Sequence, residues 1–161
     1  MRNINEGGYK KHRIIEFDRS QNKAFVQDIK NKSNSSVDIK NNIQDLISAY
    51  YYLRNNYQTD SIKEGDIVKL DLFFDSETFV FKLKYLGNET IKTKFGKINC
   101  IKFRPYVMAG RVFKEEESLT LWVTADDNKV PIKIKADLDV GSLRADLVAL
   151  KGLKYPFEIQ L

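Results

Sequence analysis

From Asp66 onward the chain alternates apolar and polar residues almost without a break: "DIVKLDLFF", "TFVFKLKYL", "ETIKTK", "INCIKFRP", "SLTLWVT" and "VPIKIKAD". Successive side chains of a strand point to opposite faces, so this period of two is the mark of antiparallel strands with one apolar face. Turn-forming residues divide the runs at Asp75–Glu77, at "FGK" and at "ADDNK". "GN" at Gly87–Asn88 suits a tight hairpin turn, because both residues tolerate positive φ. "VGSLRADLVALKG" and "YPFEIQL" are expected to finish the sheet.

Upstream, "YKKHRIIEF", the polar turn "DRSQNK" and "AFVQDI" read as a hairpin, and the Ser- and Asn-rich residues 30–42 read as a loop. One helix is expected in "NIQDLISAYYYLRNNY", where Ile43, Leu46, Ile47, Tyr50 and Leu53 recur at helical spacing. Asn42 is the expected N-cap, with Asp45 in the first turn where the helix dipole favours it. The fold expected is mainly β. It is a curved antiparallel sheet or incomplete β-barrel of meander topology, with one α-helix packed against it. At 161 residues the chain is expected to be one β-rich domain, residues 1–161.

Alternation also assigns faces. Leu119, Leu121 and Val123 share one face, with Ile132 and Ile134 on the corresponding face of the next strand. Trp122 then joins Thr120 and Thr124 on the nominally polar face. Phe79, Phe81, Leu83 and Tyr85 stand together on another strand.

Several chemistries find no support. His12 stands alone inside "YKKHRII", with no partners in the roles that a catalytic triad or a metalloprotease helix requires, and it reads as part of a solvated strand face. Cys100 is single, so it forms no internal disulfide and no cysteine metal cluster, and it reads as a buried, inert thiol. "NEGGYK" lacks the lysine–hydroxyl ending of a phosphate loop. "ADDNK" lacks the alternate ligands, bending glycine and later glutamate of a calcium loop. The carboxylates of "KEEES" are neighbours that a strand sends to opposite faces. The net charge of +5 is spread along strands as in "IKTK" and "IKIK", without a nucleic-acid-binding motif. No apolar run is long enough to span a membrane as a helix, and the first residues lack the apolar stretch of a signal peptide. No enzyme activity, cofactor, metal or nucleic-acid partner is expected.

"IKTKFGKINCIKFRP", "GRVFKEEESLTLWVTADDNKVPIKIKADLDVGSLRADL" and "DLISAYYYLRN" together resemble the exported bacterial family known as domain of unknown function 3108. The hairpin "LWVTADDNKVPIKI" is also similar to those of periplasmic lipoprotein carriers, whose incompletely closed barrels hold acyl chains against a helix. The resemblance implies a β-barrel-like sheet and a periplasmic or cell-envelope location, and it supplies no catalytic residues. Members typically begin with an export signal and further strands, whereas this sequence starts almost directly at "NEGGYKK". The chain is therefore expected to be the C-terminal part of a longer exported protein. The strand near Tyr9–Phe17 or a neighbour is expected to lack a partner and to invite self-association through its edge.

The leading functional expectation is a non-enzymatic envelope protein that binds an apolar or amphipathic ligand, a lipid or lipid-linked glycan, on the concave face of the sheet. Phe79, Phe81, Phe103 and Trp122 are the candidate lining residues. Arg104, Arg111 and Lys114 are the candidate rim residues for an anionic headgroup. The alternative is a scaffold or protein-interaction module that uses a sheet edge or the helix face carrying Tyr51 and Tyr52. A cavity too small for a ligand, together with an exposed aromatic patch, favours that alternative.

Overall fold

The structure, a computed structural model, describes residues 1–56, 61–106, 119–138 and 140–160. It contains two antiparallel sheets and, among the described residues, one helix. The chain divides into two units: Met1–Ala49 with Leu70–Val80, and Tyr50–Lys69 with Phe81–Leu161.

The first unit is built on a meander of β1 (Arg2–Glu6), β2 (Tyr9–Asp18), β3 (Lys23–Asp28) and β4 (Ser33–Asp38), in the order β1-β2-β3-β4. The expected β2–β3 hairpin forms with Phe17 opposite Ala24 and Ile15 opposite Val26. Those four side chains, with Val37, Ile39, Ile43 and Phe73, make the core of this unit. Phe73 meets Phe17 edge-on at 5.6 Å.

Two strands here correct the expectation. β4 lies within the stretch read as a loop, because its backbone completes the β3 ladder while its serines and asparagine face solvent. An edge strand takes its hydrogen bonds from its neighbour and needs little apolar character of its own. β1, a strand that the sequence reading did not place, pairs with β2 from Arg2↔Arg13 to Glu6↔Tyr9, so β2 is flanked on both sides and the open edge falls on its neighbour β1. In this sheet β1 and β4 are the edges.

The helix α1 runs Leu46–Asn56. Its N-cap is Asp45, whose Oδ1 accepts from the amides of Ile47 at 2.8 Å and Ser48 at 2.7 Å. Asn42 therefore is not the cap. Ile43 is buried just before the helix, and Gln44 makes a parallel bridge to Leu72. The expected apolar stripe holds only in part: Ala49 is buried and Leu53 half-buried, but Leu46 and Ile47 stand out in solvent.

The second sheet has the order β10-β9-β8-β7-β6-β5. Its strands are β5 (Ile67–Phe74), β6 (Glu77–Thr93), β7 (Gly96–Tyr106), β8 (Leu119–Thr124), β9 (Pro131–Asp137) and β10 (Ser142–Asp146). β5 and β6 join at Asp75–Ser76, and that end of the hairpin belongs to the first unit. Among the described residues the sheet is an open meander that does not close on itself.

β6 is one 17-residue strand, where two strands and a turn were expected. Gly87, at φ 94°, sits in a β-bulge where the register with β7 slips between Tyr85 and Asn88. The glycine supplies the unusual dihedral, but β7 continues opposite, so the chain bends without reversing. A second bulge lies in β9, where Trp122 faces Lys133 while Val123 faces Pro131. It moves Ile132 from the expected Leu121 and Val123 side into the cluster of Trp122.

Beyond β10 the residues read as a last strand contribute a single bridge, Lys97↔Gln160. Instead, Leu147, Leu153 and Phe157 pack on Ile91, Ile98, Cys100, Trp122 and Ile132. The middle of the sheet, from β6 to β9, is thus covered on both faces, one under this tail and the other under Leu53 of α1, while β10 stays exposed.

Candidate functional site

On the α1 side of the second unit, alternation along β6, β7 and β8 gathers Leu83, Tyr85, Ile101, Phe103 and Val123 into one buried cluster, with Phe81 and Leu121 half-buried beside it. Leu53 packs on this cluster from the helix. Between helix and sheet is a slot walled by Leu53, Leu83, Ile101, Phe103, Leu121 and Val123, with Tyr50, Arg54 and Lys129 at its margin. Tyr50 latches the helix down, its hydroxyl donating to the Lys129 carbonyl at 2.7 Å. Burial raises the Tyr50 phenol above its ordinary pKa, which keeps that donor protonated. The slot has a volume of about 50 Å³. Ligand sites run from about 300 to 1,000 Å³, and the slot falls well short of that range.

The opposite face is a second core. Trp122 is 6% exposed and belongs to this cluster, away from Phe81 and Phe103. Its indole Nε1 donates to Glu89 at 3.1 Å, and the ammonium groups of Lys133 and Lys102 lie 4.9 and 5.6 Å from the ring centroid. The hydrogen bonds from Lys102 and Trp122 hold the Glu89 carboxyl below its usual range. Cys100, wholly buried in the same cluster, has its thiol pushed up to about 11 by burial. That is the electrostatic setting of an inert thiol.

Three open grooves lie in the first unit. One, of about 430 Å³, is lined by Phe79 and Val80 together with Asp38, Lys40, Ile43 and Asp71, and the Lys40 ammonium pairs with Asp71 at 2.8 Å across it. Another, of about 330 Å³, runs past Asn3, Asn5, Lys10 and His12, and His12 is half-buried where a solvated position was expected. The third, of about 490 Å³, crosses β2, β3 and β4 at Ile14, Glu16, Phe25, Gln27, Asn34 and Ser36. At the β5–β6 turn the carboxylate of Asp75 gathers Lys11, Arg13 and Arg2. Among the described residues no group of histidine, cysteine, aspartate and glutamate is arranged to hold a metal ion.

The proposed lining residues therefore do not converge. Phe81 and Phe103 share the α1-side cluster, Trp122 lies in the other core, and Phe79 lines a groove of the first unit. Arg104 is half-buried, and alternation along β7 places it on the Cys100 face, opposite Phe103. Arg111 and Lys114 lie outside the described residues. Tyr51 and Tyr52 are 54% and 38% exposed. Tyr51 packs edge-on against Tyr50 at 5.4 Å, which gives it a defined orientation. Ile47, one turn earlier on the same helix, is 73% exposed.

Two residues that sequence reasoning passed over matter to the architecture. Asn128 is completely buried, its Nδ2 donating to the carbonyls of Tyr155 and Pro156 at 3.1 and 3.0 Å while its Oδ1 accepts from the Tyr155 amide at 3.1 Å. Asp126 organises the same turn, accepting from the Thr124 hydroxyl and the Asn128 and Lys129 amides. "ADDNK" is thus a turn that pins the C-terminal tail, and only its Asp/Asn richness was visible in the sequence.

A family model described as "Protein of unknown function (DUF3108)" matches residues 1–148. No curated protein matches the chain. Among solved structures, the chain is similar to the beta-barrel-like protein of domain of unknown function DUF1849 from Brucella abortus. The TM-score is 0.53 at 12% identity, covering 88% of this chain and 60% of that one. The likeness is one of fold, and the chain spans 60% of that structure's length.

Proposed function

The chain belongs to the DUF3108 family, whose description assigns no activity, and on its own geometry we propose that it is a non-enzymatic interaction module of the bacterial cell envelope. The observation that carries this reading is the outward side of α1, where Tyr51 and Tyr52 are exposed, with Ile47 one turn away, above a slot of only about 50 Å³. Ile47 and Tyr51 are four residues apart, so they fall on one side of the helix and form a pair of apolar anchors. Tyrosine suits such a surface because it contributes a large apolar ring with a polar tip and few rotatable bonds. The helix is held from beneath by Leu53 and the Tyr50 latch, so presenting these side chains costs the fold little. The envelope location rests on the family resemblance, and the partner is an envelope protein.

A photo-crosslinking residue placed at Tyr51 in the native host tests the proposal. One discrete protein adduct is expected there, weakened by Ile47→Lys and not reproduced from another exposed position such as Lys97. The same adducts from both positions, or none from Tyr51, would contradict it.

One observation favours a second reading. The slot walls are wholly apolar while Arg54 and Lys129 stand at its margin, a pattern suited to an anionic amphiphile. It requires α1 to lift away from Leu83, Ile101 and Phe103 before a chain could enter.

A further inference from the structure

The open face of the first unit's sheet carries a set of side chains that the interaction reading leaves unused. The ladder registers place Glu16, Phe25 and Ser36 directly opposite one another across β2, β3 and β4, with Ile14, Gln27 and Asn34 in the next row on the same face. Strand neighbours lie about 4.8 Å apart and rows two residues apart about 6.7 Å. The six side chains therefore cover a patch of roughly 10 by 7 Å at the base of the groove of about 490 Å³.

The opposite face of these strands is the buried one, with Ile15, Phe17, Ala24 and Val26 in the core, so the six are free to serve a ligand. Phe25 is 41% exposed, and Glu16, Gln27, Asn34 and Ser36 are exposed with no described hydrogen-bond partner for their side chains.

We propose that this grid is a saccharide-binding site in which one pyranose ring lies on Phe25 and its hydroxyls pair with Glu16, Gln27, Asn34 and Ser36. A sugar ring offers an apolar C–H face for an aromatic side chain and, at its edge, groups that both donate and accept. Planar amides and a carboxylate are complementary to that edge. Competing occupants fit the chemistry less well. An acyl chain would bury Gln27 and Asn34 without partners. A phosphate backbone would meet the Glu16 carboxylate and no cation within the grid, since Lys10, Lys11 and Lys30 line a different depression. A protein strand would pair at the β1 or β4 edge and leave this face alone.

The test is a titration of the isotope-labelled full chain, followed by amide NMR, with chitotetraose and separately with cellotetraose, which differ by the acetamido group. Shifts are expected at Phe25 and at the side-chain amides of Gln27 and Asn34, with dissociation constants of about 1 mM. Phe25→Ala is expected to weaken binding about fivefold, and Gln27→Ala to weaken it while the remaining spectrum stays in place. A response to chitotetraose alone adds recognition of the acetamido group, whereas a response to both places recognition on the ring, and either supports the site. Absence of shifts with both saccharides at about 10 mM, or shifts unchanged by Phe25→Ala, would overturn it. Because these residues are remote in sequence from α1, a failure here leaves the Tyr51 proposal standing, and the reverse also holds.

Discussion

Asn128 shows at the scale of a single residue how a polar side chain becomes structural. It is completely buried, and its three hydrogen bonds to the Tyr155–Pro156 backbone hold the tail over Trp122. Asn128→Ala removes three hydrogen bonds made by a completely buried amide and is expected to destabilise the protein by about 1–3 kcal/mol, read as a shift of the denaturation midpoint with the slope unchanged. A loss of less than about 0.5 kcal/mol, the range of an ordinary surface change, would deny the tail its anchor.

Asp75 provides the pH-dependent counterpart. Burial raises its carboxyl pKa, but the hydrogen bond from Lys11 and the charges of Lys11, Arg2 and Arg13 outweigh that and hold it below its ordinary 3.8. Its folded pKa is depressed, so its stabilisation is fully present above the ordinary value and is lost as pH falls through the folded one. Asp75→Asn is therefore expected to destabilise the protein at neutral pH and to flatten the fall in stability below about pH 4. An unchanged acid limb in the variant would contradict this. Neither role was legible in the sequence, because Asn and Asp in "ADDNK" and "FFDSE" read first as turn residues, and their partners lie 27 and 64 positions away in the chain.

At the scale of elements, alternation located β5 and β7 to β9 because a half-buried strand and its hydropathy share one period. It failed where the period was not the deciding term. Gly87–Asn88 has the composition of a hairpin turn, yet the partner strand runs on past it and the same glycine makes a bulge. Gly87 has φ 94°, so Gly87→Ala is strained whatever the space, and the added Cβ would also come within 3.4 Å of Glu64 Oε2. The expected cost is about 1–3 kcal/mol in equilibrium unfolding, and a neutral substitution would contradict the positive φ that the bulge places at Gly87. β4 was missed for the opposite reason: its Ser and Asn side chains say loop, while its backbone ladder with β3 makes it a strand. Alternation puts Trp122 on a polar face only because a half-buried strand has one wet side. Around Cys100 and Trp122 both faces of the sheet are buried, one by α1 and one by the tail, and the tail's "LVALKGLKYPF" carries no periodic signal to announce that role.

For the whole molecule, the mainly β meander with a helix on one sheet face was legible, and it agrees with the beta-barrel-like neighbour from Brucella abortus. The candidate site was not. Phe79, Phe81, Phe103 and Trp122 are each apolar positions on strands, and only tertiary packing separates core from cavity. Tyr51 and Tyr52 were the exception, because three consecutive tyrosines on a helix span too wide an arc to be buried together.

In the interaction reading proposed above, the protein meets its partner through the outside of α1 and keeps the slot beneath it closed. Native mass spectrometry of the protein, gently purified from its host, separates this reading from that of a ligand carrier. The expected spectrum shows the polypeptide mass without an acyl-chain adduct, alone or bound to a second protein that is lost on Tyr51→Glu. A lipid mass retained by the native protein, and lost on Phe103→Asp with the fold intact, would contradict it and make the α1 slot a ligand site.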